Sequence, residues 1–249
     1  TMSARYNYNY SPLPESHNDG DRIFTGDPST PSASNATSRA TSKTYENFHS
    51  GNFEASYDID TLRLVTASIG ISNSHNSTHS TNVLNATSPL DGSQLYAYKQ
   101  MGRSKENTFF LNGSFDYQRL FHVKERMLTF SYRISTSPYS VNETDDYKDR
   151  EAADDWTDFI NLARNQFTDV HSRSTEHTFQ IDYTTPIGKA HTIETGVKYI
   201  LRDNRANSDR YLQKTDATDY LFDDDNSMHY RHRNDILAAY TGYGLKLGK

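Results

Sequence analysis

The 249-residue chain has no cysteine, so no disulfide framework organises it, and this absence alone does not assign a redox compartment. Apolar residues are also scarce, at 34% with a mean hydropathy of −0.87, too few for a thick core buried on two sides. No run approaches the ~18 to 20 consecutive apolar residues of a spanning helix, which excludes a helical membrane protein. Positive charge is not in excess either. Lys and Arg number 26 against 32 Asp and Glu, a net charge of −6, so the broad basic footprint of a nucleic-acid binder is missing and no nucleic-acid partner is expected.

What the chain does have is aromatic: 18 Tyr and 12 Phe, concentrated in alternating stretches that argue against disorder throughout. In the segment 179–201, Phe179, Ile181 and Tyr183 alternate with Gln180, Asp182 and Thr184; then Ile193, Thr195, Val197, Tyr199 and Leu201 alternate with Glu194, Gly196 and Lys198. Period two repeated twice around Pro186, Gly188 and Lys189 predicts a hairpin with one wet and one greasy face. The same pattern recurs at Met2 to Tyr10, at Phe53 to Ile59 with Val65 to Ile71, at Phe109 to Tyr117 with Leu128 to Ile134, and in a last strand over 236–247.

About eight strands result, joined alternately by short turns and by polar stretches over 11–44, 72–106, 135–176 and 202–234, which read as long loops. Within 135–176, the spacing of Trp156, Phe159, Ile160 and Leu162 suits a short amphipathic helix. Four long loops on one side of a sheet do not suit a compact soluble domain, whereas an all-β, antiparallel up-and-down transmembrane barrel has this asymmetry. The greasy face then meets outer-membrane lipid. Tyr6, Tyr8, Tyr57, Tyr132, Tyr183 and Tyr240 are expected as girdle residues, since a phenol buries its ring and keeps its hydroxyl wet.

Glu194, Lys198, Asp182, Arg133 and Asp116 fall on the wet side and are the lumen-facing candidates, either pairing among themselves or lining a substrate path. His75 with His79 and His229 with His232 have spacings that serve a metal only on a helix, and they fall in the polar stretches. Asp223, Asp224 and Asp225 are weak calcium candidates, lacking the glycine and distal glutamate of a helix-loop-helix calcium loop. No nucleophile elbow is present, and neither a cofactor nor catalysis is expected.

Several segments resemble a known family. The run from Asp182 through Thr184, Thr185, Pro186, Ile187, Gly188 and Lys189, the strand His191, Thr192, Ile193, Glu194, Thr195, Gly196, Val197, Lys198, Tyr199, and Arg202, Asp203, Asn204 are similar to a run in Bacteroidetes-type outer-membrane β-barrel proteins related to TonB-dependent receptors. Leu128 to Arg133, Asp235 to Tyr240 and Leu245 to Lys249 resemble further strands of these barrels. The resemblance implies a bacterial outer-membrane barrel of about 22 strands that imports a nutrient, with energy from an inner-membrane protein of the TonB type acting through an N-terminal plug. A surface lipoprotein is an expected further partner. The plug and the C-terminal part of the family pattern are absent, so an incomplete barrel portion over 1–249 is expected. Two alternatives stay open: a surface-binding or adhesion protein anchored by a small barrel, and a soluble β-sandwich binding domain.

Overall fold

A computed structural model describes residues 1–213 and 219–246. Its elements are β1 (Met2–Pro12), β2 (Ser16–Arg22), β3 (Asn35–Asp60), β4 (Arg63–Thr87), β5 (Gln94–Leu120), β6 (Met127–Ala152), a 3₁₀ turn (Asp154–Trp156) leading into α1 (Thr157–Ile160), β7 (Gln166–Ile187), β8 (His191–Gln213), β9 (Tyr220–Phe222), a second 3₁₀ turn (Asp224–Asn226) and β10 (Met228–Leu245). The strands form one antiparallel sheet in the order β1-β3-β4-β5-β6-β7-β8-β10. Strands β1 and β2 lie end to end along β3, interrupted near Pro14, which has no N–H to give to the ladder; β9 and β10 likewise share β8. Among the described residues β1 and β10 have one neighbour each, leaving two free edges.

The stretches expected as long loops are mostly strand. Residues 72–106 hold the ends of β4 and β5 and only the connection 88–93; 135–176 holds the ends of β6 and β7 around the expected short helix; 11–44 and 202–234 are also largely paired. Both faces of these extensions are polar, so the sheet continues by backbone pairing while hydropathy loses its period. The last strand starts earlier than expected, at Met228, and Leu247 lies outside the described residues. The connections 61–62, 121–126 and 188–190 are the short turns, all at one end of the sheet.

Pairing sorts the side chains without ambiguity. One row runs Met2, Ala55, Ala67, Phe115, Tyr132, Phe179, Tyr199, Leu237, and the next runs Tyr57, Val65, Tyr117, Phe130, Ile181, Val197, Ala239. These rows belong to an apolar band next to the turn end, four or five alternate residues tall on each strand. On β1 the band reaches up to Tyr10, whereas on β10 it stops at Leu237, so it slants across the pairing rows.

No protein layer covers the band: Val197 is 48% exposed, Tyr57 68% and Leu237 73%. Among the described residues the buried apolar side chains are Ala33, Ala86, Tyr96, Val141 and Ile160. A β-sandwich requires a second packed sheet, so that alternative fails here. Among the described residues, one compact apolar cluster sits at the far end on the polar face, where Trp156 and Phe159 stack on Tyr96 at 5.1 and 4.6 Å and Ile160 packs with Ala86. Burial in that cluster raises the pKa of Tyr98 and of its edge-on neighbour Tyr147.

Candidate functional site: the polar face behind the band

All five sequence candidates lie on the face opposite the band. Asp116, Ser131, Gln180 and Lys198 form one row; Arg133 and Thr178 lie in the row above; Asp182, Gly196 and Tyr240 lie in the row below, and Glu194 one row lower still. β-Strand alternation puts them there, because each is an even number of residues from its neighbours on the same strand.

Only one pair of the five closes. Arg133 reaches Asp116 with two guanidinium nitrogens, Nη1 to Oδ2 at 3.3 Å and Nη2 to Oδ1 at 3.2 Å, while the Ser131 hydroxyl donates to Asp116 Oδ1 at 2.6 Å. Asp182 instead accepts from the Tyr240 hydroxyl and from Gln180 Nε2 at 2.9 Å, and Gln180 also donates to the Tyr240 oxygen at 2.9 Å. Lys198 and Glu194 make no ion pair among the described residues. Four residues of extended chain hold them roughly 13 Å apart, and Lys198 is three strands from Asp116, roughly 14 Å.

Gly196 explains why Tyr240 can take this position. A Cβ there would run into the Tyr240 ring and into Asp182 Oδ1 at 2.5 Å, so the bare backbone is the seat of the phenol. This corrects one expectation: Tyr240 is on the polar face and belongs to no girdle. Both parities of β10 carry apolar residues, Ile236 and Tyr240 on one and Leu237 and Tyr243 on the other, so the strand alone does not reveal its facing. The remaining expected girdle residues Tyr6, Tyr8, Tyr57, Tyr132 and Tyr183 are on the apolar face. Three of these phenols have polar partners, Tyr6 with His49 Nδ1 at 2.7 Å, Tyr8 with Asn47 Oδ1 at 3.4 Å and Tyr132 with His177 Nδ1 at 2.9 Å; Tyr243 joins His191 Nδ1 at 2.5 Å near the turns.

Sequence reasoning missed Glu176, Arg202, Gln180 and Tyr240. Arg202 Nε donates to Glu176 Oε2 at 2.5 Å just above Arg133, in a segment read as loop on both strands. With Ser68, Asn112, Arg133, Glu176, Gln180 and Lys198 at its walls, an open groove of about 580 Å³ lies along this face. Hydroxyls, amides, the Lys198 ammonium and the Glu176 carboxylate, paired with Arg202, give it the chemistry to exchange hydrogen bonds with a polar solute.

The remaining candidates do not assemble into a site. His75 and His79 lie in β4, roughly 13 Å apart on one face, and His229 and His232 point to opposite faces of β10, so none is in the expected loops and neither pair converges. Asp223 accepts two hydrogen bonds from Asn226 Nδ2, at 3.1 and 2.9 Å, and lies 3.9 Å from Arg210 Nε; Asp224 and Asp225 follow in the 3₁₀ turn.

The sequence profile of a family described as an outer membrane protein β-barrel family matches residues 119–249. Among solved structures, the outer membrane protease OmpT of Escherichia coli aligns over 96% of each chain at 10% identity with a TM-score of 0.17, too low to carry any argument. No curated protein matches.

Proposed function

Because the chain belongs to the outer membrane protein β-barrel family and resides in the bacterial outer membrane, we propose that its polar face lines the lumen of a receptor of the TonB-dependent type, which takes up a nutrient with energy delivered from the inner membrane. The observation that carries this reading is the pairing register, which puts a lipid-ready apolar band on one face and, directly behind it, the groove lined by Lys198, with Glu194 two rows below on the same polar face. In this reading the chain catalyses nothing. Asp116 and Arg133 hold each other and shape the wall, Asp182 is occupied by Tyr240, and Lys198 and Glu194 meet the passing solute. The plug would couple to the TonB-type protein, and the tall strand ends would receive ligand or a surface lipoprotein.

The test is uptake of labelled oligosaccharides, oligopeptides and metal chelates by cells carrying the complete gene or its deletion, with and without a protonophore. Expected is a gene-dependent uptake that the protonophore abolishes and that Lys198→Glu reduces while the protein still folds. Gene-dependent uptake indifferent to the protonophore, or no gene-dependent uptake at all, overturns the reading. A second reading, a surface-binding protein anchored by its barrel, draws on the height of the strands. From Asn47 to Asn35, β3 runs roughly 40 Å past the band. That reading predicts gene-dependent binding of a probe at the cell surface without entry.

A further inference from the structure

On the apolar side, two rows above the margin of the band, three arginines share one pairing row: Arg173 of β7, Arg205 of β8 and Arg231 of β10. Adjacent strands are ~4.8 Å apart, so these like charges are next neighbours, an arrangement that destabilises a sheet unless an anion offsets it. Arg233 lies one row lower. The carboxylates within reach are too few. Asp203 serves Arg205 at 3.0 Å and Arg231 at 3.4 Å, and Asp235 lies 3.6 Å from Arg233, while Arg173 makes no ion pair among the described residues. The hydrogen bond from Arg205, aided by Arg231, holds Asp203 below the usual carboxylate range, and the two carboxylates Asp203 and Asp235 face four arginines. Asp169 and Asp209, two rows above, are engaged with His171 and His229.

The row is also placed at a boundary. Two rows below it run His177, Leu201 and Asp235, the upper margin of the band, and beneath them Phe179, Tyr199 and Leu237. A groove of about 440 Å³ opens beside it between Pro138, His171, Arg173, Arg205 and Asn207. Short turns mark the periplasmic end of such a barrel, so the row faces the outer leaflet at headgroup level. We propose that Arg173, Arg205, Arg231 and Arg233 form a binding site for the phosphate of an outer-leaflet lipid, whose acyl chains lie down the apolar band below. A free phosphate would use the guanidinium groups alone; a lipid uses the row and the band together, which commits the site to the lipid.

The test uses the full protein purified in a zwitterionic detergent and titrated with phosphorylated lipid A, with native mass spectrometry counting bound lipid. The expected result is stoichiometric binding that falls at least tenfold in the triple variant Arg173→Gln, Arg205→Gln, Arg231→Gln and is unchanged in Arg39→Gln, on the same face but far from the row. Dephosphorylated lipid A should bind at least tenfold more weakly, and millimolar inorganic phosphate should not displace the lipid. Retention of wild-type affinity by the triple variant overturns the proposal, as does full displacement by inorganic phosphate. Should the triple variant fail to fold, Arg173→Gln alone, which breaks no ion pair, decides: a severalfold loss supports the site and an unchanged affinity refutes it.

Discussion

The two ends of each long strand have the same backbone pairing and opposite surfaces. Near the turns, β6 places Leu128, Phe130, Tyr132 and Ile134 on one face and Thr129, Ser131 and Arg133 on the other; beyond Pro138 the same strand carries Ser140, Asn142 and Thr144 against Val141, Glu143 and Asp145. Hydrogen bonding between strands holds the whole length, but only the lower part has a side that water should not touch. Strand structure and membrane insertion are therefore separate properties of this sheet.

The largest effect should come from placing one charge in each half of one strand. Phe130→Arg, on the apolar face in the band, is expected to cost ~2 to 4 kcal/mol of stability in lipid, whereas Asn142→Arg, on the same face higher up, should stay within ~0.5 kcal/mol. Denaturant titration of the protein in vesicles, followed by the heat-dependent gel shift of folded barrels, reads both. Equal losses would break the comparison. A smaller contrast concerns glycine. Gly196→Val must displace the Tyr240 ring and should cost ~1 to 3 kcal/mol, while Gly20→Val in β2 meets open space and should be close to neutral. Adding Tyr240→Ala to Gly196→Val should restore most of the loss; if it does not, the phenol does not sit over that backbone.

The smallest effect belongs to the turn end. Lys246 Nζ holds both Glu125 oxygens at 2.6 Å, and this hydrogen bond lowers the Glu125 pKa. A depressed folded pKa means that the tether is complete above the ordinary carboxylate range and is lost as pH falls through the folded value. The protection factors of amides in 121–126, taken relative to the intrinsic exchange rate at each pH, should therefore fall on acidification from neutral pH and also with salt, while those in the band stay high. Glu125→Gln should show low protection at every pH; a variant that keeps the acid response removes Glu125 from the explanation.

The same contrast accounts for what was legible in the sequence. Alternation requires one face to differ from the other, so every segment of the band could be read, from Tyr6 and Tyr8 to Val197 and Tyr199, and with it the facing of Asp116, Arg133, Asp182, Glu194 and Lys198. Above the band both faces are polar, and residues such as His75, Glu176 and Arg202 look like loop although cross-strand pairing fixes them. Tyr240 was misread for a third reason, since both faces of β10 are apolar. Which side chains meet was beyond the pattern altogether: spacing places Lys198 and Asp116 on one face, but only the strand order separates them.

The slant of the band carries an angle. Tyr10, at its top on β1, shares a row with Asn47 and His75, whereas Leu237, at its top on β10, shares one with Tyr199, Phe179, Tyr132, Phe115 and Ala67. From His75 to Ala67 the margin descends eight residues along β4 over the seven steps between the edge strands. At ~3.3 Å per residue and ~4.8 Å per step, a level margin requires the strands to lean about 38° from the membrane normal. Nine residues on that incline rise about 23 Å, close to the ~25 Å hydrocarbon height of an outer-membrane barrel, so registry alone sets both the inclination of the wall and the thickness of lipid it fits.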